Sequence, residues 1–279
     1  MRFSFGGSAI SMAMGVRCLC SVRRFVIIGL ILVGARADRA HAIAFDDAVE
    51  RYRARIVEDI GQALAGARRL RDCLTSNDLD GAKKAWIAAR GGWERSEVFT
   101  SGLVPELDEK IDAWPKATTG FHAIEAKLFG AARTDVASET DALISDLADL
   151  DAKIRDMPLP PQDLLNGAAR LAYEVGESKS DGGESRFSGT SLDDMRNNVT
   201  GIKQAYHTIF AAALAARDPA LAESVQSQIE ALNALLDSPS LNAVDSDKLR
   251  KTSEEFVVAL ASAAPKINLQ KPVLEDLSK

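Results

Sequence analysis

Residues 45–75 read FDDAVERYRARIVEDIGQALAGARRLRDCLT, and their apolar positions decide the fold. Phe45, Val49, Tyr52, Ile56, Ile60, Leu64, Ala67, Leu70 and Leu74 recur at steps of three and four. That spacing draws one face of a helix about eight turns long. Thr75-Ser76-Asn77 ends it and offers a cap for a second helix running to about Phe99. Gly91 and Gly92 interrupt this second helix. Two glycines there cost roughly 1 kcal/mol each against alanine, which implies a close backbone approach or a kink.

The same period continues along the chain. Residues 100–118 read as an irregular connection, with Gly102, Pro105, Pro115 and a short turn at 106–112. A helix resumes over 120–129. Leu143, Leu147, Leu150, Ile154 and Met157 mark another, stopped by Pro158, Pro160 and Pro161. Residues 162–178 form the next, before the loop SDGGES at 180–185. Met195, Val199, Ile202, Tyr206 and Ile209 predict a long helix, and Asp218-Pro219 cap and begin one ending near Leu236. Leu249, Phe256 and Leu260 place the last helix before Pro265. No run alternates with period two between hairpin turns. The expected fold is all-α, an up-and-down helical bundle of about six to eight helices.

Composition agrees. The 279 residues are 46% hydrophobic and 27% charged but only 6% aromatic, which excludes disordered and collagen-like chains and favours helices over a β-sandwich. Upstream of the bundle, Arg17, Arg23 and Arg24 lead into FVIIGLILVGA (25–35), followed by Ala40-His41-Ala42. A basic region, a short apolar run and an A-x-A site predict a secretory signal peptide over 1–42, cleaved after Ala42 or Ala44. Met12 and Met14 are alternative starts. The apolar run is shorter than the roughly 20 residues of a spanning helix. Residues 43–279 then form the helical domain, bound for secretion. They carry 28 basic and 39 acidic residues, a net charge of −11. Such a surface repels nucleic acid and anionic lipid and attracts cations. Cys73 alone remains of the cysteines, amid apolar helix positions that suit a buried thiol.

Three polar pairs share one geometry. Glu94 with Glu97, His122 with Glu125, and Glu174 with Glu177 are each three apart on predicted helices, so each pair projects from one face. Facing helices that offer such pairs can build a carboxylate-histidine metal site in a bundle core. Asp108 and Asp112 in the connection add oxygens. An ERxE string alone is more often a solvated face. For His122 the neighbours Phe121, Ile124 and Leu128 predict burial, which an imidazole and a carboxylate do not tolerate unpartnered. His207 reads as structural or exposed, and Asn198-Val199-Thr200 as an accidental sequon inside a helix. HExxH, GxSxG and P-loop motifs are absent.

These strings resemble the imelysin-like family, in its EfeO/EfeM branch. Gly120-Phe121-His122-Ala123-Ile124-Glu125 is similar to that family's GxHxxE signature. Ala89-Arg90 with Trp93 through Glu97 resembles AR..YERIE, and Leu107 through Asp112 resembles LDPKID. Glu174-Val175, Lys179, Gly183-Glu184 and Arg186-Phe187-Ser188 resemble EV..K..GEE..YS, and Asn198-Val199 with Gly201 resembles NV.G. One departure is Ser188-Gly189-Thr190-Ser191-Leu192, where the family reads SHTDL. The resemblance implies a periplasmic, all-helical protein of an iron uptake system, in the shorter EfeM-type form without a cupredoxin domain. It implies two partners, an inner-membrane iron permease and a periplasmic haem peroxidase-like protein. The metal positions it implies are Glu94, Glu97, Asp112, His122 and Glu125, with Asp108 and Glu174 as lesser candidates.

The leading expectation is therefore a periplasmic iron-binding component holding Fe3+ or Fe2+, with Zn2+, Cu2+ and Mn2+ as other metals such a site accepts. Several carboxylates and one imidazole make a hard donor set that suits iron or manganese. With four ionised carboxylates a divalent ion undercompensates the charge, which favours Fe3+. One alternative is a metallopeptidase, with Glu125 or Glu97 as general base for a metal-bound water. The other is an acidic-polysaccharide (alginate-like) binding protein, in which divalent ions bridge the two negative charges.

Overall fold

The computed structural model describes residues 21–115 and 117–273, with side chains from Phe45 onward. The signal peptide expected at 1–42 lies outside the described residues as far as residue 20, and outside the described side chains beyond it. The chain divides at Ala44/Phe45 into two compact units, and the second, Phe45–Lys279, holds the bundle.

Among the described residues there are helices and no strands. They are α1 (Ser21–Thr75), α2 (Leu79–Leu103), α3 (Pro105–Asp112), α4 (Gly120–Glu125), α5 (Ala137–Ile154), α6 (Pro161–Gly176), α7 (Ser191–Ala205), α8 (Ala211–Ala215), α9 (Pro219–Leu236) and α10 (Ser246–Ala263). A π-turn at Tyr206–Phe210 joins α7 and α8 into one rod, and another at Ala126–Gly130 prolongs α4. The all-α bundle is as the periodicity predicted. The rod beyond the expected eight is α3, where the sequence suggested a turn: Pro105 starts it and Glu106 and Asp108 fill its first turn. The cap of α2 also moves by one residue. Asn77 takes φ +56° and ends α1, while Asp78 accepts from the Gly81 N–H at 2.8 Å. Asp218 caps α9 as expected, accepting from the Leu221 N–H at 3.1 Å.

Glycine contacts place α2 at the centre. A Cβ on Gly92 would stand 2.6 Å from the Asp59 carbonyl oxygen of α1, so the expected close approach is there. A Cβ on Gly167 of α6 would stand 1.7 Å from Val98 O, and one on Gly201 of α7 2.3 Å from Arg95 O. Three neighbours thus touch the backbone of α2 directly. Trp86, Trp93 and Phe99 of α2 are fully buried, each contributing about 1.5–3 kcal/mol of burial. Three charged residues of α2 are enclosed with them: Arg90, Glu94 and Glu97 are 0%, 0% and 8% exposed. The ERxE string is not a solvated face.

Candidate metal centre

Gly120 brings the two halves of the site together. Its φ is +71°, and any Cβ there would sit 2.1 Å from the Ile111 carbonyl oxygen. Only glycine fits this left-handed conformation at such range. The start of α4 therefore rests on the end of α3, and His122 faces Asp112. Two indoles of α2 fix this arrangement: Trp86 Nε1 donates to Phe121 O at 3.1 Å, and Trp93 Nε1 donates to Asp112 Oδ2 at 2.8 Å.

His122 is 4% exposed. Its Nδ1 lies 3.3 Å from Glu125 Oε2. Its Nε2 stands 3.2 Å from Asp112 Oδ1 and 3.7 Å from Glu184 Oε1, with no hydrogen bond aligned to either. The other oxygen of Glu125 accepts from the Phe187 N–H at 3.1 Å and from the Ser188 N–H and Oγ, each at 2.8 Å. Glu125 thus orients the imidazole and ties it to the 185–190 loop. On the far side of Asp112 stand Glu94 and Glu97. Asp112, His122 and Glu184 form one triplet whose donor atoms lie within 4.8 Å of one another, and Glu94, Glu97 and Asp112 form a second. Asp112 belongs to both.

Two cations lie inside the cluster. Arg90 Nη2 is 2.5 Å from Glu94 Oε1 and 3.2 Å from Glu184 Oε1, Nη1 contacts Asp112, and Nε is 3.6 Å from Asp194 Oδ2. Lys179 Nζ is 3.0 Å from both Glu94 Oε2 and Glu97 Oε2. Asn198 Nδ2 donates to the same two oxygens at 2.7 Å. The site is therefore less negative than four bare carboxylates, because these cations are built into it. Burial raises the Glu97 carboxyl well above its ordinary range, with the charge of Glu94 beside it. Burial also opposes ionisation of Asp112, but Arg90 and His122 outweigh it and hold the carboxyl far below its ordinary value. Burial and Arg90 press His122 downward; Asp112 and Glu125 prevail and raise it to about 10. Glu184, disfavoured by burial but facing Lys179, is lowered to about 2. Asp194, which accepts from Ser185 Oγ at 2.5 Å, is raised by burial and Glu94 to about 7.

The structure brings Glu94, Glu97, Asp112, His122 and Glu125 together. Asp108 and Glu174 stand further out. Both line a cavity of about 190 Å³ that also borders Glu97, Asp112, Lys179 and Glu184. Glu174 is paired there with Arg170 at 2.6 Å, and burial raises Asp108 to about 6. Glu177, the partner of Glu174 in the sequence pattern, instead faces Arg250 at 4.0 Å. Sequence reasoning did not identify Asp194, and it took Arg90, Lys179, Glu184 and Asn198 only as letters of a resemblance. His207 is exposed and stacks edge-on against Tyr206, and Cys73 is a buried free thiol, both as expected.

An all-helical bundle with a buried carboxylate-histidine cluster defines the class. The chain belongs to the imelysin family, whose profile matches residues 48–118 and 116–267. It is 28% identical over 197 residues to the iron uptake system component EfeM of Pseudomonas syringae pv. syringae, covering 67% of this chain and 69% of that one. It is 30% identical over 217 residues to an EfeM/EfeO family lipoprotein of Staphylococcus aureus, covering 74% and 76%. Against the iron uptake system component EfeO of Escherichia coli O157:H7 the identity is 33% over 187 residues, 62% of this chain and 49% of the relative. A crystal structure described as an iron-regulated protein A precursor, from Parabacteroides distasonis ATCC 8503, shares the fold: TM-score 0.63, 17% identity, 78% of this chain and 95% of that one.

Proposed function

We propose that this protein is the periplasmic iron-binding component of an Efe-type uptake system, taking iron as cargo into the cluster around Asp112 and passing it to a membrane permease. One observation carries the reading. Five side chains offer ligand atoms in two triplets, Asp112–His122–Glu184 and Glu94–Glu97–Asp112, with the atoms of each within 4.8 Å of one another and Asp112 common to both. Carboxylates gathered this closely repel one another, and a bound cation offsets that repulsion. Asp112, Glu184, Glu94 and Glu97 offer oxygens and His122 one nitrogen, a hard set suited to iron. Glu125 takes the second-layer role, holding the ring so that Nε2 faces the acids. The names of the relatives support iron as the cargo, and by the same resemblance a permease and a haem peroxidase-like protein are the proposed partners.

Because His122 is raised to about 10, it is protonated at neutral pH and binding expels that proton. Affinity then rises with pH, about tenfold per unit for one proton released. The test is a titration of Fe3+, Fe2+, Zn2+ and Cu2+ into the protein and into a His122→Ala/Glu125→Ala variant, by competition with chelators at pH 6, 7 and 8. Tight iron binding by the protein, lost in the variant and weaker at pH 6, is expected. Equal binding by both proteins removes the site.

A further inference from the structure

The two cations inside the cluster are held in different ways. Arg90 is fully buried on α2, ringed by Asp112, Glu94, Glu184 and Asp194, and does not line the cavity. Lys179 lies past the end of α6, three residues before Gly182, whose φ of +73° belongs to a turn. Its ammonium is met by three carboxylates: Glu94 and Glu97 at 3.0 Å each, and Glu184 at 3.5 Å. That is how acids converge on a metal ion. Lys179 holds one oxygen of each of Glu94 and Glu97, two of the three acids of the second triplet. A metal ion and an ammonium cannot share them, because both are positive and need the same lone pairs.

The surroundings leave Lys179 somewhere to go. It lines the cavity of about 190 Å³, and so do Asp108 and Glu174. A lysine is a point charge on a flexible four-carbon stem, so it can change partners where an arginine fork held on several sides does not.

We propose that Lys179 is an exchangeable counter-cation of the cargo site: its ammonium fills the place between Glu94 and Glu97, leaves for the cavity when the metal ion enters, and competes for that place again when the ion departs. The inference rests on the iron-carrier reading above and deepens it. Lys179 then makes binding weaker and release faster than the same acids would give alone. A carrier that must surrender its cargo gains from such an internal competitor.

The experiment measures the affinity of Fe3+ supplied as its citrate chelate, and the rate of its loss to a stronger chelator. The full chain, Lys179→Met, Lys179→Arg and His122→Ala are compared. Lys179→Met keeps the length of the stem and removes the charge. It is expected to bind about tenfold tighter or more and to release more slowly. Its melting temperature is expected to fall without iron and to rise more on adding iron than that of the unaltered protein. Lys179→Arg, still charged, is expected not to tighten. Unchanged or weaker binding by Lys179→Met overturns the proposal. A second measurement uses the unaltered protein, so it holds even if a variant fails to fold. Acetylation of Lys179 by acetic anhydride, read by peptide mass spectrometry, is expected to rise several-fold on iron loading, and no rise overturns the proposal. If His122→Ala loses iron while Lys179→Met gains nothing, only the role of Lys179 falls. If the unaltered protein binds no iron, the carrier reading falls and takes this one with it.

Discussion

Replacing Asp112 by asparagine removes one charge and almost no volume at the residue on which the site turns. Asp112 Oδ2 accepts from Trp93 Nε1 at 2.8 Å, while Oδ1 contacts Arg90 and lies 3.2 Å from His122 Nε2. An amide keeps one acceptor and turns the other position into a donor, so it cannot satisfy both the indole and the guanidinium. Breaking a buried ion pair by removing one partner costs about 3–5 kcal/mol. Arg90 retains Glu94 and Glu184, which argues for the lower end, about 3 kcal/mol. In a domain of this size that lowers the melting temperature by about 6–12 °C. His122 also loses the partner that contributes most to raising it, so its titration moves down from about 10. Cargo binding suffers doubly, because Asp112 supplies a donor atom to both triplets, and a loss of about 100-fold or more is expected. Urea unfolding, chelator competition with Fe3+ and a nuclear magnetic resonance titration of the His122 ring read the three effects separately. Asp108→Asn is the control, since Asp108 lines the cavity outside both triplets and is expected to change stability by less than about 1 kcal/mol. An Asp112→Asn protein with unchanged urea midpoint and unchanged iron affinity would refute the placement of Asp112 as the shared carboxylate.

Three further outcomes are expected. Gly167→Ala puts a Cβ 1.7 Å from Val98 O and forces α6 away from α2, at about 3 kcal/mol in urea unfolding, whereas Gly61→Ala meets nothing within 4 Å and gains up to about 1 kcal/mol; equal effects at the two positions would contradict the close contact. Since folding raises His122 above its ordinary value, its contribution to stability is fully present below about pH 6.5 and lost as pH rises through about 10. The unfolding free-energy difference between the metal-free protein and His122→Gln is expected to shrink over that window. Glu184 has the opposite sign: its folded value of about 2 gives stability present above about pH 4.5 and lost as pH falls toward 2. Finally, Cys73 is 8% exposed, so a thiol reagent is expected to label it at the rate of unfolding rather than on mixing.

The long helices were legible because burial repeats along them. Phe45, Val49, Tyr52, Ile56 and Ile60 are all buried, as the three-four spacing demands. Helix α3 was not legible as a helix because eight residues give too few apolar positions to show a period; Ile111 is its one buried apolar side chain. The Asn77-Asp78 pair misled for a related reason. Either residue can cap a helix, and what decides is which one ends α1 in the left-handed conformation, a property of the backbone on both sides.

At the site, most of the acids were legible and the two cations were not. Spacing marks Glu94, Glu97, His122 and Glu125 as candidates, since three residues bring side chains to one helix face, but an ERxE string alone more often reads as a solvated face. Arg90 stands four residues before Glu94, and on any exposed helix that is an ordinary solvated pair. What turns it into a buried hub is that α1, α6 and α7 each press against the backbone of α2, through Gly92, Gly167 and Gly201. Those contacts between distant segments leave only isolated glycines as their trace. Asn198 was hidden in the same way: it lies on α7 beside Gly201, and its amide reaches Glu94 and Glu97 only because that glycine lets the helices close. A cluster of acids in the core of a bundle repels itself and resists desolvation, so folding around it requires internal positive charge. On the carrier proposal, the attraction of this site for a cation then depends less on the number of its carboxylates than on which of its own cations can be displaced.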